Sequence, residues 1–466
     1  MKKCCFVALF LLAALCLAAP GTAASRQPRK FYVTKIGAGN KDGTSWTNAK
    51  AGSDLEGIMK NAVSGDVIWV AKGSYNTLGS SRTETFHLRW GSKVYGGFAG
   101  NEPDDYDLSQ RNFKLNETIL NGRGYNYHVV TTQGGSTSIS TRLDGFTVTG
   151  GNAKNTNNIG DQKIGGGMFN YFASPRVENC IFSGNYAMHE GGGMHNVGYS
   201  PKLVNCTFRD NGSGREGGGM CNYLASPVLT DCTFSGNSAN LKGGGMYNDN
   251  SHPRLVSCDF SGNIVSADKD TYGGGMFNVR SSPIVLNCLF SGNRAISTGT
   301  YGGDGGGTGA SSHTVARGGG MYNVDNSSPT VHNCTFSGNE TGHEGGGMFN
   351  ADHSSPRLEN CVFSGNTAST NFKKIETFGG GMYNAHSSPT LVNCTFSGNT
   401  ASSSSTSALP AYGGGMYNTN SSPTLVNCTF SDNKAGDYGG GMYNTTNSSP
   451  AVANTILWGN EALSGP

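Results

Sequence analysis

Residues 379–399 read Gly379-Gly380-Gly381-Met382-Tyr383-Asn384-Ala385-His386-Ser387-Ser388-Pro389-Thr390-Leu391-Val392-Asn393-Cys394-Thr395-Phe396-Ser397-Gly398-Asn399, and two short blocks within this stretch recur along most of the chain. The first, Gly-Gly-Gly-Met-X-Asn, occurs ten times, beginning at Gly165, Gly191, Gly217, Gly243, Gly273, Gly318, Gly345, Gly379, Gly413 and Gly439. The second, Asn-Cys-Thr-Phe-Ser-Gly-Asn in its commonest form, places a cysteine 15 or 16 residues after the first glycine, at Cys180, Cys206, Cys232, Cys258, Cys288, Cys334, Cys361, Cys394 and Cys428. In the tenth copy Thr455 and Leu457 stand where the others have Cys and Phe. A shortest period of 26 residues suits either a helical repeat or a coil of strands. Triple glycine, Ser-Pro before the second block and β-branched residues around each Cys oppose helix and favour short strands between tight turns.

Comparison of the copies identifies the inward positions. Three residues before each Cys stands Val or Leu (Val177, Leu203, Leu229, Leu255), and two residues after it stands Phe, from Phe182 to Phe430. The position two before Cys varies freely (Glu178, Val204, Thr230, His332, Glu359) and is expected to face solvent. Strict alternation would put Val/Leu and Cys on opposite faces. The Asn, Asp or Ser just before Cys therefore marks a bend, since these residues tolerate a left-handed backbone. Three short strands per coil follow, around Gly-Gly-Met-X-Asn, Pro-Thr-Leu-Val and Cys-Thr-Phe-Ser, each pairing with its copy in the next coil. The fold class is all-β, a parallel β-helix of about ten regular coils, roughly 50 Å long at the spacing of paired strands. The Asn columns, Asn170 to Asn444 and Asn185 to Asn460, are expected to stack their amides at corners and fix the register.

Composition agrees. The chain has 466 residues, of which 72 are Gly and only 14% are charged, while 10% aromatic and 35% apolar residues suffice for a core. The glycines fall in blocks, which excludes collagen. A formal charge of +2 becomes zero without Lys2 and Lys3, so nucleic acid and anionic lipid are poor partners. Residues 1–24, with two lysines, an apolar run and Thr22-Ala23-Ala24, read as a secretory signal and imply export. Residues 25–150 form an N-terminal cap and irregular first coils, and 151–466 form the repeat domain. In the cap, Ser53-Asp54-Leu55-Glu56 is a capping box, and Leu55, Ile58, Met59 and Ala62 give one apolar face to a short helix that lids the first coil. The final degenerate strand after Asn454 has no lid, and that end is expected to be covered by a partner or to be continued by a further segment.

Ten cysteines remain beyond the signal. Stacked cysteines on parallel strands have parallel Cα–Cβ vectors, so the ladder is expected to be buried thiols, with occasional pairing or metal capture as the alternative. Cys221 stands apart, in the Met-X-Asn slot filled elsewhere by Tyr, Phe or His. No cofactor or metal site is read from the sequence. The glycine cluster Gly302-Gly303-Asp304-Gly305-Gly306 resembles a calcium-binding repeat but occurs once, inside an insertion.

Glu190 and Glu216 both precede Gly-Gly-Gly in adjacent coils and would stack as a carboxylate pair, the arrangement a retaining glycosidase uses at roughly 5–5.5 Å. The same column continues as Ile164, Lys242, Tyr272, Arg317, Glu344, Phe378, Tyr412 and Tyr438, so a variable solvated edge explains the pair without catalysis. His332 and Glu359 read as a surface ion pair. Coil length varies only between Cys and the next Gly-Gly-Gly, from 11 to 30 residues, so insertions near 264–272, 294–317, 367–378 and 400–412 project from one edge. Tyr272, Phe378, Tyr412 and Tyr438 end the connections on that edge and are the ligand-binding candidates, as stacking surfaces for sugars or peptides; the alternative is that they only pack their own loops.

The ten alternating blocks resemble the repeats of the polymorphic outer membrane protein family and related right-handed parallel β-helix, pectin-lyase-like surface proteins. Thr44-Ser45-Trp46, Gly65-Asp66-Val67-Ile68-Trp69-Val70 and Tyr95-Gly96-Gly97-Phe98-Ala99-Gly100 look like the lead-in of such proteins. The resemblance covers nearly all of the chain beyond the signal. It implies a secreted or outer-membrane protein of a bacterium, with adhesion to a host or cell-surface glycan or protein as the commonest role. No C-terminal autotransporter barrel is recognised, so membrane association is expected only through a partner or a further region. The rival class is a polysaccharide lyase or glycoside hydrolase of the same fold. Of the polygalacturonase motifs, Asn-Thr-Asp, Gly-Asp-Asp, Gly-His-Gly and Arg-Ile-Lys are all absent, which favours a non-catalytic binding protein.

Overall fold

The computed structural model describes residues 26–134, 140–155, 160–299, 314–370, 376–403 and 410–464. The signal at 1–24, the Gly302–Gly306 cluster and the tips of three insertions lie outside the described residues. Four long sheets of 15, 13, 11 and 12 strands run the length of the solenoid, and each strand pairs with its copies in the coils before and after. Register is kept residue for residue, as in Met382↔Met416, Leu391↔Leu425 and Phe396↔Phe430.

Each regular coil thus has four strands in the long sheets, where the spacing of the two blocks predicts three, and short pairs at Thr271–Tyr272 with Ala316–Arg317 and at Thr377–Phe378 with Ala411–Tyr412 add a fifth where insertions enter. The fourth follows the Ser-Gly-Asn corner and is often only two residues long, as at Ser238–Ala239. One small side chain per coil points inward from it, such as Ala187, Ala239, Val265 or Ala401. A strand that short has no alternation to display, so its period is invisible in sequence.

The other corners form as their residue types dictate. Asn179, Asn205, Asp231, Ser257, Asn287 and Asn393, each just before a Cys, have φ between 50° and 53°. This left-handed bend turns the chain so that Val/Leu and Cys both point inward. Phe rings two residues after Cys stack from Phe182 to Phe430 with centroids 4.6–4.8 Å apart and planes within 7°. Isolated rings prefer offset or edge-on contacts; here the strand spacing imposes the parallel stack. The ten cysteines are free and buried. The nine stacked thiols other than Cys221 donate to nearby carbonyls, Cys232 to Thr230 at 3.3 Å for example, and burial pushes Cys180 up to about 12. A thiol held protonated in this way, as at Cys180, is an inert small hydrophobe.

The Asn columns satisfy one another. In the inner corner column, Asn237 Nδ2 donates to Phe208 O and to Asn263 Oδ1, and Asn263 repeats this with Phe234 and Asn293. The Met-X-Asn column makes one amide-to-amide bond per coil, Asn170→Asn196→Asn222, and continues to Asn444.

One apolar cluster extends from Val33 through Phe430, so the irregular early coils share the interior of the regular ones. The helix Leu55–Lys60 buries Leu55 and Met59 in that cluster, with Ile58 partly buried against it. Its capping box does not form. Ser53 lies in a preceding 3-10 turn, Asp54 makes no side-chain cap, and Glu56 accepts a hydrogen bond from the Leu78 amide instead. No helix among the described residues is long and apolar enough to cross a membrane.

Candidate functional site

The strand Met-X-Asn sends Met and Asn inward and X outward. The X residues make a second aromatic ladder on the outside of the methionine face: Tyr247, Phe277, Tyr322, Phe349, Tyr383 and Tyr417 stack at 4.7–5.3 Å, with planes within 12°. Outward rings are normally wet, yet these are mostly buried, because the residue before each Gly-Gly-Gly folds across them. That covering column is continuous and in parallel register: Ile164, Glu190, Glu216, Lys242, Tyr272, Arg317, Glu344, Phe378, Tyr412 and Tyr438. All six residues singled out from the sequence as site candidates therefore lie on one edge, the edge where the insertions enter.

The aromatic candidates divide. Phe378, Tyr412 and Tyr438 stack on each other at 5.5 Å and 5.5 Å with planes within 12°. Each also rests on this outer ladder, Phe378 on Tyr417 at 4.7 Å and Tyr412 on Tyr443 at 4.9 Å. One face of the strip is thus committed to packing, and Tyr438 remains 39% exposed. Tyr272 stands apart from this strip; it packs on Tyr322 at 5.1 Å and donates its hydroxyl to Asp270 at 2.9 Å.

Between Tyr272 and Phe378 the column is ionic. Arg317 pairs with Glu344, whose Oε1 also lies 3.1 Å from His343 Nδ1. Burial pushes the Glu344 carboxyl up, but His343 and Arg317 outweigh it and hold the group below its ordinary 4.5. The folded state therefore favours the carboxylate, and the pair's contribution is present above about pH 4.5 and lost as pH falls through the lower folded value. Arg317→Leu is expected to cost about 2 kcal/mol at pH 7, less than a fully buried pair because Arg317 is partly exposed. Urea unfolding of parent and variant across pH 3–7 checks this; the difference should shrink on acidification.

Glu190 and Glu216 are adjacent in register, as expected, but their carboxylates face different partners. Glu216 Oε1 lies 3.9 Å from Lys242 Nζ. Glu190 Oε2 lies 3.8 Å from His195 Nδ1 and accepts from the Cys221 thiol at 3.9 Å. Burial first, then the negative charge of Glu216, push Glu190 up to about 7. Burial lowers His195 to about 3, so its ring is neutral. Cys221 is pushed well up by burial and by Glu190. His195 and Cys221 occupy two consecutive rungs of the ladder that is otherwise aromatic from Phe169 to Tyr443. Sequence reasoning singled out Cys221 as an outlier and missed His195. Two adjacent departures in one column were the available signal.

N-terminal to this cluster on the same face lies a cleft of about 240 Å³ lined by Tyr127, His128, Thr131, Gln133, Phe169 and Tyr171. His128 stacks on Phe169 at 5.4 Å and Phe169 meets His195 at 5.9 Å with rings tilted by 44°, joining cleft to cluster. A wider cleft of about 600 Å³ sits at the cap between Arg26, Arg29, Lys50, Glu56, Lys60 and Leu78, away from both columns. His332 and Glu359 are exposed and 3.8 Å apart, a surface pair.

A family model described as "Right handed beta helix region" matches residues 215–456. No curated protein matches the chain by sequence. Among solved structures, pectate lyase Pel9A is similar at 12% identity and a TM-score of 0.36, over 83% of this chain and 79% of that one. The A-module of mannuronan C-5 epimerase AlgE6 from Azotobacter vinelandii is similar at 11% identity and a TM-score of 0.37, over 89% and 94%. Tailspike protein gp49 from the Acinetobacter baumannii bacteriophage Fri1, a capsular polysaccharide depolymerase, is similar at 13% identity and a TM-score of 0.32, over 86% of this chain and 58% of that one. Likenesses this distant carry nothing about activity.

Proposed function

The chain belongs to the right-handed β-helix family, and from that premise we propose that it is an exported, non-catalytic binding rod that engages cell-surface glycans through its aromatic edge. The carrying observation is the Phe378–Tyr412–Tyr438 strip, whose rings lie parallel along the edge that also accepts the insertions. Sugar rings present apolar faces that stack on such surfaces, and a rigid solenoid presents them without ordering cost. The near-zero net charge of the region beyond the N-terminal lysines suits a neutral or weakly charged saccharide better than a polyanion. The repeat resemblance to polymorphic outer membrane proteins supports a bacterial surface location, with residues 1–24 as the export signal.

One observation favours the second reading, a polysaccharide-cleaving enzyme: Glu190 holds its proton to about pH 7 beside a second carboxyl. Against it, Glu190 is turned to His195 and Cys221 and Glu216 to Lys242, so the two do not converge on one substrate position.

Pectins, host glycosaminoglycans and neutral glucans, tested for binding and for product release together, separate the two. Tyr412→Ala with Tyr438→Ala is expected to weaken binding at least about tenfold, about 1.4 kcal/mol. Undiminished binding sinks the aromatic-edge reading. Cleavage that disappears in Glu190→Gln and Glu216→Gln overturns the non-catalytic one.

A further inference from the structure

The outer ladder of the methionine face is filled by aromatic rings in eight of its ten Met-X-Asn copies, and the two exceptions, His195 and Cys221, are consecutive. Both are buried, 2% and 1% exposed, and no packing reason requires a ring to be lost there, since Phe169 and Tyr247 continue the column on either side. The replacements are the two side chains with the strongest affinity for borderline-soft metal ions. The covering column supplies a third donor at the same level. Glu190 Oε2 lies 3.8 Å from His195 Nδ1 and 3.9 Å from Cys221 Sγ, and the three donor atoms lie within 4.8 Å of one another. Independently, His195 Nδ1 is a buried polar atom with no hydrogen-bond partner among the described residues, and it lies against this cluster, 3.8 Å from Glu190 Oε2. A buried imidazole nitrogen left unsatisfied costs free energy unless something fills its lone pair.

We propose that Glu190, His195 and Cys221 form a binding site for one zinc-like divalent ion on the outside of the methionine face. Zinc bonds of roughly 2.0–2.3 Å to O, N and S place the ligand atoms of a tetrahedral site about 3.3–3.7 Å apart. The two separations from Glu190 Oε2 exceed this by a few tenths of an ångström, and the third, between His195 and Cys221, lies within 4.8 Å and closes by side-chain rotation of both residues. Binding replaces the S–H bond of Cys221 by a sulfur–metal bond and, where Glu190 is protonated, its O–H bond by an oxygen–metal bond, releasing these protons to solvent; Nδ1 of neutral His195 donates its lone pair. The resulting charge, two anionic ligands on a dication, is balanced. Glu190 is one-third exposed, so the ion enters past its side chain, and the fourth position opens to solvent there. Three protein ligands with one open position is the pattern of reactive rather than purely structural zinc sites. The site does not depend on glycan binding by the aromatic strip, which lies several coils away.

Titration of the purified chain with Co²⁺ tests the proposal, because a cobalt–thiolate bond adds an intense near-ultraviolet band and tetrahedral cobalt adds visible bands. The expected result is one equivalent of Co²⁺ bound with both signatures, displaced by Zn²⁺. Cys221→Tyr and His195→Phe restore residue types that other copies carry at this position, so the solenoid should retain its circular dichroism while metal affinity falls at least about 100-fold in each. Absence of either signature up to millimolar Co²⁺ overturns the site. So does a thiolate band of equal intensity in Cys221→Tyr, which would trace the metal to the interior cysteine ladder.

Discussion

Gly244→Val is expected to break the rod locally. A Cβ at Gly244 would lie 2.5 Å from the carbonyl oxygen of Ile264 and 2.6 Å from that of Gly274 in the next coil. Both obstacles are main chain, and the second belongs to a Gly-Gly-Gly corner that is itself held by the hydrogen bond from Gly245 N to Gly274 O at 3.1 Å. No rotamer relieves the clash, so the coils must separate. Overpacking a core by side chains costs about 1–3 kcal/mol, and here rigid backbone must move instead. Amide hydrogen exchange should show protection lost across Met246–Asp249 and Met276–Val279 while distant coils keep theirs, because solenoid stability is a sum of neighbour terms. Gly262→Asp is the control. Gly262 has φ +60° with open space around its missing Cβ, and Asp210 and Asp432 hold the same slot at φ 55°. That variant carries only the left-handed strain that Asp tolerates better than most side chains and should stay within about 1 kcal/mol of the parent. Equal melting of Gly244→Val and parent would disprove close approach as the reason for the triple glycine.

Asn263→Leu is expected to cost about 3–5 kcal/mol. The side chain is fully buried, donates to Phe234 O at 2.8 Å and Asn293 Oδ1 at 2.9 Å, and accepts from both Nδ2 and the backbone N of Asn237 at 2.9 and 3.1 Å. Leucine matches its size but strands two donors on Asn237 and the carbonyl of Phe234. Each orphaned buried group costs about 1–3 kcal/mol. The denaturant midpoint and exchange protection of the flanking coils measure the loss. On the outer corner, Asn393 Nδ2 makes the same kind of bond to Asn360 Oδ1 at 3.1 Å, but in solvent and at φ 53°. Asn393→Gly keeps the left-handed backbone and lets water replace the amide, so a change within about 1 kcal/mol is expected. A similar cost at both positions would refute burial as the source of the inner ladder's strength.

How much of this was legible beforehand follows from what repeats. The left-handed corner before Cys could be read because Asn, Asp and Ser alternate there and nothing else does. The inward Leu and Phe columns could be read because ten copies vary around them. The fourth strand could not, since Ala187 or Ala239 is a single small inward residue between the Ser-Gly-Asn corner and the bend before Gly-Gly-Gly. The capping box failed at Ser53 because the chain enters the helix through a 3-10 turn, and Glu56 finds the Leu78 amide closer to hand.

For the site the division is sharper. That Glu190, Glu216, Tyr272, Phe378, Tyr412 and Tyr438 share one column follows from counting back one residue from Gly-Gly-Gly. What each side chain meets does not. Vertical neighbours lie 26 to 46 residues apart because the insertions differ in length, so contacts across coils leave no fixed spacing in the chain. The sequence alone therefore determined a parallel β-solenoid, its inward ladders and the edge that admits insertions, since these depend on residue type at repeated positions. Only the tertiary structure decided that the covering column lies on a second aromatic ladder, that Glu190 turns from Glu216 toward His195 and Cys221, and that the aromatic candidates split into a strip of three and a solitary tyrosine. Those outcomes depend on side-chain direction and on which coil stands beside which, and both are set by stacking rather than by any local run of residues.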